Sequence, residues 1–126
     1  MSMIHPYANF NYAELPVASY RADEAVLVAG SKTGQLLFLK EGAVAVVRQG
    51  TQIAIVDEPG AVFGEISALL DRPHTADVRA LKNTQFHVAD AVLLGRSAPA
   101  LFYVAGALAE RLDRANQTLV AALRAR

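Results

Sequence analysis

The chain has 126 residues, 53% of them hydrophobic, with 12 basic and 12 acidic side chains, zero net charge and no cysteine. That length gives one domain of ordinary size with ample apolar material for a core. Zero net charge does not mark a general nucleic-acid binder. The lack of cysteine excludes disulfides, thiol catalysis and thiolate metal sites, and fits a reducing compartment. No apolar run reaches the roughly 18–20 residues of a membrane span. No basic region followed by an apolar core opens the chain, so no secretory signal is seen. The expectation is a cytoplasmic protein with no membrane association.

Residues 1–16 are mixed and carry Tyr7, Phe10 and Tyr12. A short helix is expected near Ala8–Glu14, with the aromatics covering one end of the core. From Ser19 the pattern turns to short strands. Ala25–Val28, Gln35–Leu39, Ala43–Arg48 and Thr51–Val56 alternate with turns at Ser31–Gly34, Lys40–Gly42 and Gln49–Gly50. Beyond the stretch 60–80, Ala76–Ala80 and Gln85–Val88 read as two more strands around Lys82-Asn83-Thr84. Strands this short, with turns this regular, predict a sandwich or barrel.

The C-terminal part reads as helical. Asp90–Leu94 is expected as a short helix ending at Gly95. A long one follows, with Ser97 as its cap and Pro99 in its first turn. Leu101, Ala105, Leu108, Leu112, Ala115, Leu119 and Ala122 alternate in steps of four and three, as in a coiled-coil seam. The turns from Leu101 to Leu108 are expected on the chain's own barrel. The seam runs farther than a small barrel can cover, which predicts a parallel homodimer through 101–122. Glu110, Arg111, Asp113, Arg114 and Arg124 lie off the seam, as solvated or partner-facing charges would.

The most informative stretch is 60–80. Gly60 and Gly64 bracket an apolar pair, Glu65 follows at once, and Ile66–Leu70 is a short apolar helical run. Glycine lets backbone approach a ligand closely, and the unpaired N–H groups of a first helical turn point outward. A carboxylate repels bare phosphate but accepts hydrogen bonds from hydroxyls. Together these suit a ligand that carries both. Phe63-Gly64-Glu65, Ala68-Leu69-Leu70 and Pro73-x-Thr75-Ala76-x-Val78-Arg79-Ala80 resemble the phosphate-binding cassette of the cyclic nucleotide-binding domain family. Gly30, Leu37–Gly42 and Pro59-Gly60 extend the likeness over about 19–112.

The resemblance implies a mainly β fold with flanking helices: an eight-stranded jelly-roll-like barrel followed by a C-terminal helix. On it the chain divides into an N-terminal segment 1–18, a barrel 19–88 holding the cassette 60–80, and C-terminal helices 89–126. It also implies a ligand, cAMP or cGMP, at Phe63, Gly64, Glu65, Ile66, Ser67, His74 and Thr75. Glu65 would take the ribose 2′-hydroxyl, and backbone amides from Gly64 to Ser67 the phosphate, with the Ser67 hydroxyl as a further donor. The C-terminal helix would move on binding. In relatives resembling the catabolite activator protein that helix leads into a helix-turn-helix domain. None follows in this sequence, so DNA reading by this chain is not expected.

His74 departs from the family pattern, which has an arginine there. Arginine is always charged and offers a rigid fork of donors, whereas neutral histidine offers one. If protonated, His74 would meet the phosphate at a single point, with affinity rising as pH falls; otherwise it is a loop histidine without a ligand. Arg72, swinging inward, or Arg79 could replace the missing cation, although Arg79 pairs more simply with Asp77. Glu65 could equally cap its own helix, and Ser67 could face solvent. Two functions therefore stay open: a stand-alone nucleotide sensor, or a degenerate dimerisation and protein-interaction module with an unknown protein partner. His5, His74 and His87 make no metal-ligand spacing, and haem is a remote third reading. No nucleophile motif or Walker loop is present, so neither enzymatic activity nor a cofactor is expected.

Overall fold

In a computed structural model of the chain, residues 10–125 are described. Eight strands form: β1 Val17–Tyr20, β2 Ala25–Leu27, β3 Gln35–Glu41, β4 Val44–Arg48, β5 Thr51–Val56, β6 Val62–Phe63, β7 Asp77–Ala80 and β8 Thr84–Asp90. Among the described residues a 3-10 turn, Tyr12–Glu14, precedes them. Helix α1, Glu65–Leu70, lies between β6 and β7, and α2 (Leu93–Arg96) and α3 (Ala98–Arg124) end the chain. The strands pair antiparallel in two sheets of four, ordered β1-β8-β3-β6 and β2-β7-β4-β5.

The sheets face one another as a jelly roll but do not close, which corrects the expected barrel. Strand β6 has only two residues, too few backbone groups to carry pairing onward from its free edge. Irregularities at Ala25/Leu27, Leu39/Glu41 and Val46/Val47 break the register as well. Strands β1 and β6 have no forerunner in the sequence reading. The first alternates half-buried and exposed residues without a strong apolar run, and the second is hidden in the approach to Gly64.

Strand β3 carries the core on both faces. Leu36, Phe38 and Leu39 are fully buried and Leu37 is 1% exposed, which explains an unbroken apolar run where half-buried strands alternate. Leu37 and Leu39 pack between the sheets with Val44, Val78 and Phe86. Leu36 and Phe38 face the other way, against Val62, Leu94 and Val104. Phe10 and Tyr12 close that end, with ring centroids 5.5 and 5.8 Å from Phe38. Tyr7 and most of the expected helix near Ala8–Glu14 fall outside the described residues or outside helix. What is seen is the 3-10 turn, capped by Asn11, whose side chain accepts from Ala13 N–H at 3.0 Å.

Residue Asp90, expected to open a helix, ends β8 and accepts from Val92 N–H at 2.9 Å, so α2 begins later. Ser97 does cap α3, its Oγ accepting from Ala100 N–H at 3.1 Å. The 27 residues of α3 span about 40 Å at 1.5 Å per residue. Its contact face is shifted from the expected seam. Ala100 and Val104 are buried and Tyr103, Ala107 and Leu108 half-buried, while Leu101 and Ala105 are exposed. From Ala109 to Ala125 every residue is exposed, Leu112 and Leu119 included.

Candidate functional site

A cavity of about 810 Å³ opens between the α1 cassette, strands β4 and β5, and α3. All seven residues expected to meet a ligand line it: Phe63, Gly64, Glu65, Ile66, Ser67, His74 and Thr75. The local sequence dictates this arrangement. Val62 and Phe63 are buried in the two core clusters and pin the approach. The chain then reverses at Gly64, which sits at φ 88°, ψ 0°. A Cβ there would lie 2.5 Å from the Gln35 carbonyl oxygen, so only glycine lets this backbone rest on β3. Helix α1 follows for six residues and ends at Asp71, which has φ 50°.

The return loop is held by the β2–β3 loop. His74 N–H donates to Ser31 O at 2.8 Å, Gly30 N–H donates to His74 O at 2.9 Å, and Ala29 N–H donates to Asp77 Oδ1 at 2.7 Å. Lys32 pairs with Asp71 on the outside. These bonds bury His74 against Thr33, whose Oγ1 is 3.1 Å from Nε2. Burial pulls the His74 pKa below the ordinary histidine value, and the Glu65 charge opposes that only in part. The imidazole is therefore neutral at neutral pH.

This has a consequence for stability. A histidine whose folded pKa is depressed contributes stability that is whole above the unfolded value of about 6.5 and is lost as pH falls through the folded one. Between the two values the unfolded chain holds the extra proton. Wild type should thus lose more stability than His74→Gln between about pH 7 and pH 5, measured by urea denaturation in parallel. Equal losses would show that His74 is not the titrating group.

Glu65 is buried, its side chain 4% exposed, and Arg111 reaches it from α3. The same guanidinium donates to Val62 O, and its Cζ stands 5.9 Å from the Phe63 ring centre. This corrects the reading of Arg111 as a solvated or partner-facing charge. Val104, Leu108 and Arg111 follow at intervals of four and three, so the arginine continues the face that packs on the sheets. Ser67, with one reading toward solvent, is 4% exposed and buried in the site. The neighbouring cations do not fill in for the missing arginine. Arg72 is exposed and outside the cavity lining. Arg79 donates to Asp23 O at 2.6 Å rather than pairing with Asp77, whose carboxylate is taken by the β2–β3 loop.

The remaining histidines add nothing to the site. His87 is buried on β8, with Nδ1 2.9 Å from Leu15 O, so that nitrogen carries the proton and donates. His5 lies outside the described residues. Among the described residues no three acidic or histidine side chains are grouped to hold a metal. No described helix is long and apolar enough to cross a membrane.

Fold and site together are those of a small-molecule-binding regulatory module. Residues 17–94, more than half of the chain, match the cyclic nucleotide-binding domain family, and the chain belongs to it. No curated protein matches by sequence. Among solved structures, the catabolite activator protein of Thermus thermophilus superposes with TM-score 0.70 at 23% identity, over 86% of this chain and 55% of that one. PKAR CBD2 bound to Sp-2Cl-cAMPS gives 0.72 at 21%, over 91% and 79%. The regulatory subunit of a cAMP-independent protein kinase A from Trypanosoma cruzi, bound to guanosine, gives 0.60 at 21%, over 64% and 29%. The chain thus spans about half the length of the Thermus protein and less than a third of the trypanosome one.

Proposed function

We propose that this chain is a nucleotide-sensing regulatory domain in which a ligand in the cavity is reported by α3. It binds and signals in the cytoplasm and carries no reaction and no cofactor. The observation that carries this reading is the reach of Arg111 from α3 to Glu65, the buried carboxylate of the cassette. A second tie lies two turns earlier, where Tyr103 Oη donates to Gly60 O at 2.7 Å. A sugar hydroxyl arriving at Glu65 competes with Arg111 for the same oxygens. Ligand occupancy and the seating of α3 are thereby linked, because the ligand's affinity differs between the seated and released helix. The likeness to structures holding a cAMP analogue and guanosine supports a ligand of this general class. The family's cyclic nucleotides, cAMP and cGMP, are the first to test.

The released half of α3 is where a partner would sit. Leu112, Ala115, Leu119 and Ala122 form its exposed seam, and we assign this face to a second copy of the chain in parallel. The Arg111–Glu65 pair also supports a second reading, since a carboxylate already satisfied from within needs no ligand. The domain would then be a dimerisation and interaction module alone.

A thermal-shift experiment separates the two. Cyclic nucleotides and nucleosides at about 100 times Kd should stabilise the domain by about 2.7 kcal/mol, seen as a rise in Tm. No shift with any of them at millimolar concentration, together with a sedimentation mass of two chains, would transfer the reading to the interaction module.

A further inference from the structure

We infer that the cavity selects a nucleoside, an uncharged base on a hydroxylated sugar, over the corresponding cyclic monophosphate. The inference rests on the sensor reading above and names the ligand class within it. Its main support is the charge of the walls. Among the described residues, the lining holds three arginines, Arg48, Arg111 and Arg114, and three glutamates, Glu58, Glu65 and Glu110. The formal sum is zero.

Two of the arginines are already engaged. Arg111 is committed to the Glu65 carboxylate and the Val62 carbonyl. Arg114 lies 3.6 Å from Glu110 and 3.9 Å from Glu58 at the outer rim. Arg48 is exposed at the far end of β4, next to the β4–β5 turn. A hydroxyl at Glu65 replaces the hydrogen bonds of Arg111 but not its charge. A phosphate deep in the cavity would therefore have to share that one cation with a buried carboxylate, whereas an uncharged ligand would not. Removing a charge from water without a partner is the most expensive form of burial.

Beyond the N–H groups of the first turn of α1 and the Ser67 hydroxyl, the cassette supplies no charge to compensate. Beside the start of α1 stands His74, neutral, buried, and with Nε2 facing the Thr33 hydroxyl at 3.1 Å. One ring nitrogen is left for a ligand, and it brings a single neutral hydrogen bond. Helix α1 has six residues, so its dipole is short.

An uncharged ligand meets a different balance. The apolar part of the wall, with Leu27, Val46, Ile55 and Val56, takes the face of a base. Glu65, Ser67 and Thr75 stand along the cassette side, where a carboxylate and two hydroxyls suit sugar hydroxyls. Nothing in that set asks for a net negative charge.

The test is calorimetric titration of the intact chain at neutral pH with guanosine, adenosine, cGMP and cAMP. We expect at least one nucleoside to bind about ten-fold or more tightly than its own cyclic monophosphate. A cyclic monophosphate that binds as tightly as its nucleoside, or more so, overturns the inference and leaves the sensor reading standing. Absence of binding by all four overturns both. His74→Arg supplies the missing cation and should move the ratio toward the cyclic monophosphate by about ten-fold or more, with His74→Lys as the smaller alternative. A ratio unchanged in a folded variant overturns the charge argument.

Discussion

Gly64→Ala should be the most damaging single change in the site, costing about 3 kcal/mol or more of folding stability and abolishing ligand binding. Two penalties add there. A side chain at φ 88° costs about 1–2 kcal/mol against glycine. The new Cβ would also stand 2.5 Å from the Gln35 carbonyl oxygen, a backbone atom of the strand that carries the core on both faces. Overpacking against such a wall adds about 1–3 kcal/mol. Gly34→Ala is the control. It has the same sign of φ, at 68°, but nothing within 4 Å of the added Cβ, so only the first penalty applies. Urea denaturation of both variants reads the difference directly. Equal losses would mean that the contact with β3 relaxes freely, and that Gly64 is required for its backbone angle alone.

Much of this site was legible because the cassette is local in sequence. Gly64, Glu65 and Ser67 are one turn of chain, and the residue types carry their roles with them: a glycine for close approach, a carboxylate for hydroxyls, a short apolar helix to anchor both. The same holds for the Leu36–Leu39 run, whose lack of alternation marks a strand buried on two faces. What could not be read is what depends on contacts across the fold. Thr33 and His74 are 41 residues apart, and nothing near either names the other. Glu65 and Arg111 are 46 apart. A partner for a buried acid was to be expected, and Arg111 sits on the helix face continued from Val104 and Leu108. That face was obscured by the seam beginning at Leu101, which reads equally well as a contact surface. The sheets' failure to close is of the same kind, since it follows from a two-residue strand that composition alone does not reveal.

Removal of Arg111 should give the second large effect, in two opposite directions. Arg111→Ala leaves the Glu65 carboxylate, 4% exposed, without its cation. Stripping a buried charge of its partner costs about 3–5 kcal/mol. Here the arginine side is 41% exposed, and water from the open cavity replaces part of the pairing, so about 2 kcal/mol is expected. Glu65→Gln alone loses the same pair while keeping the shape. The double variant should therefore fall well short of the sum, with a coupling energy of about 1–2 kcal/mol. Strict additivity would mean that the contact contributes nothing and α3 is held by its apolar face alone. Ligand binding responds with the other sign. If hydroxyls and Arg111 exchange at Glu65, the ligand relieves an unpaired carboxylate in Arg111→Ala, and its Tm rise there should exceed that of wild type. A smaller rise would place Arg111 on the ligand as a direct donor, with α3 closing over the site rather than leaving it.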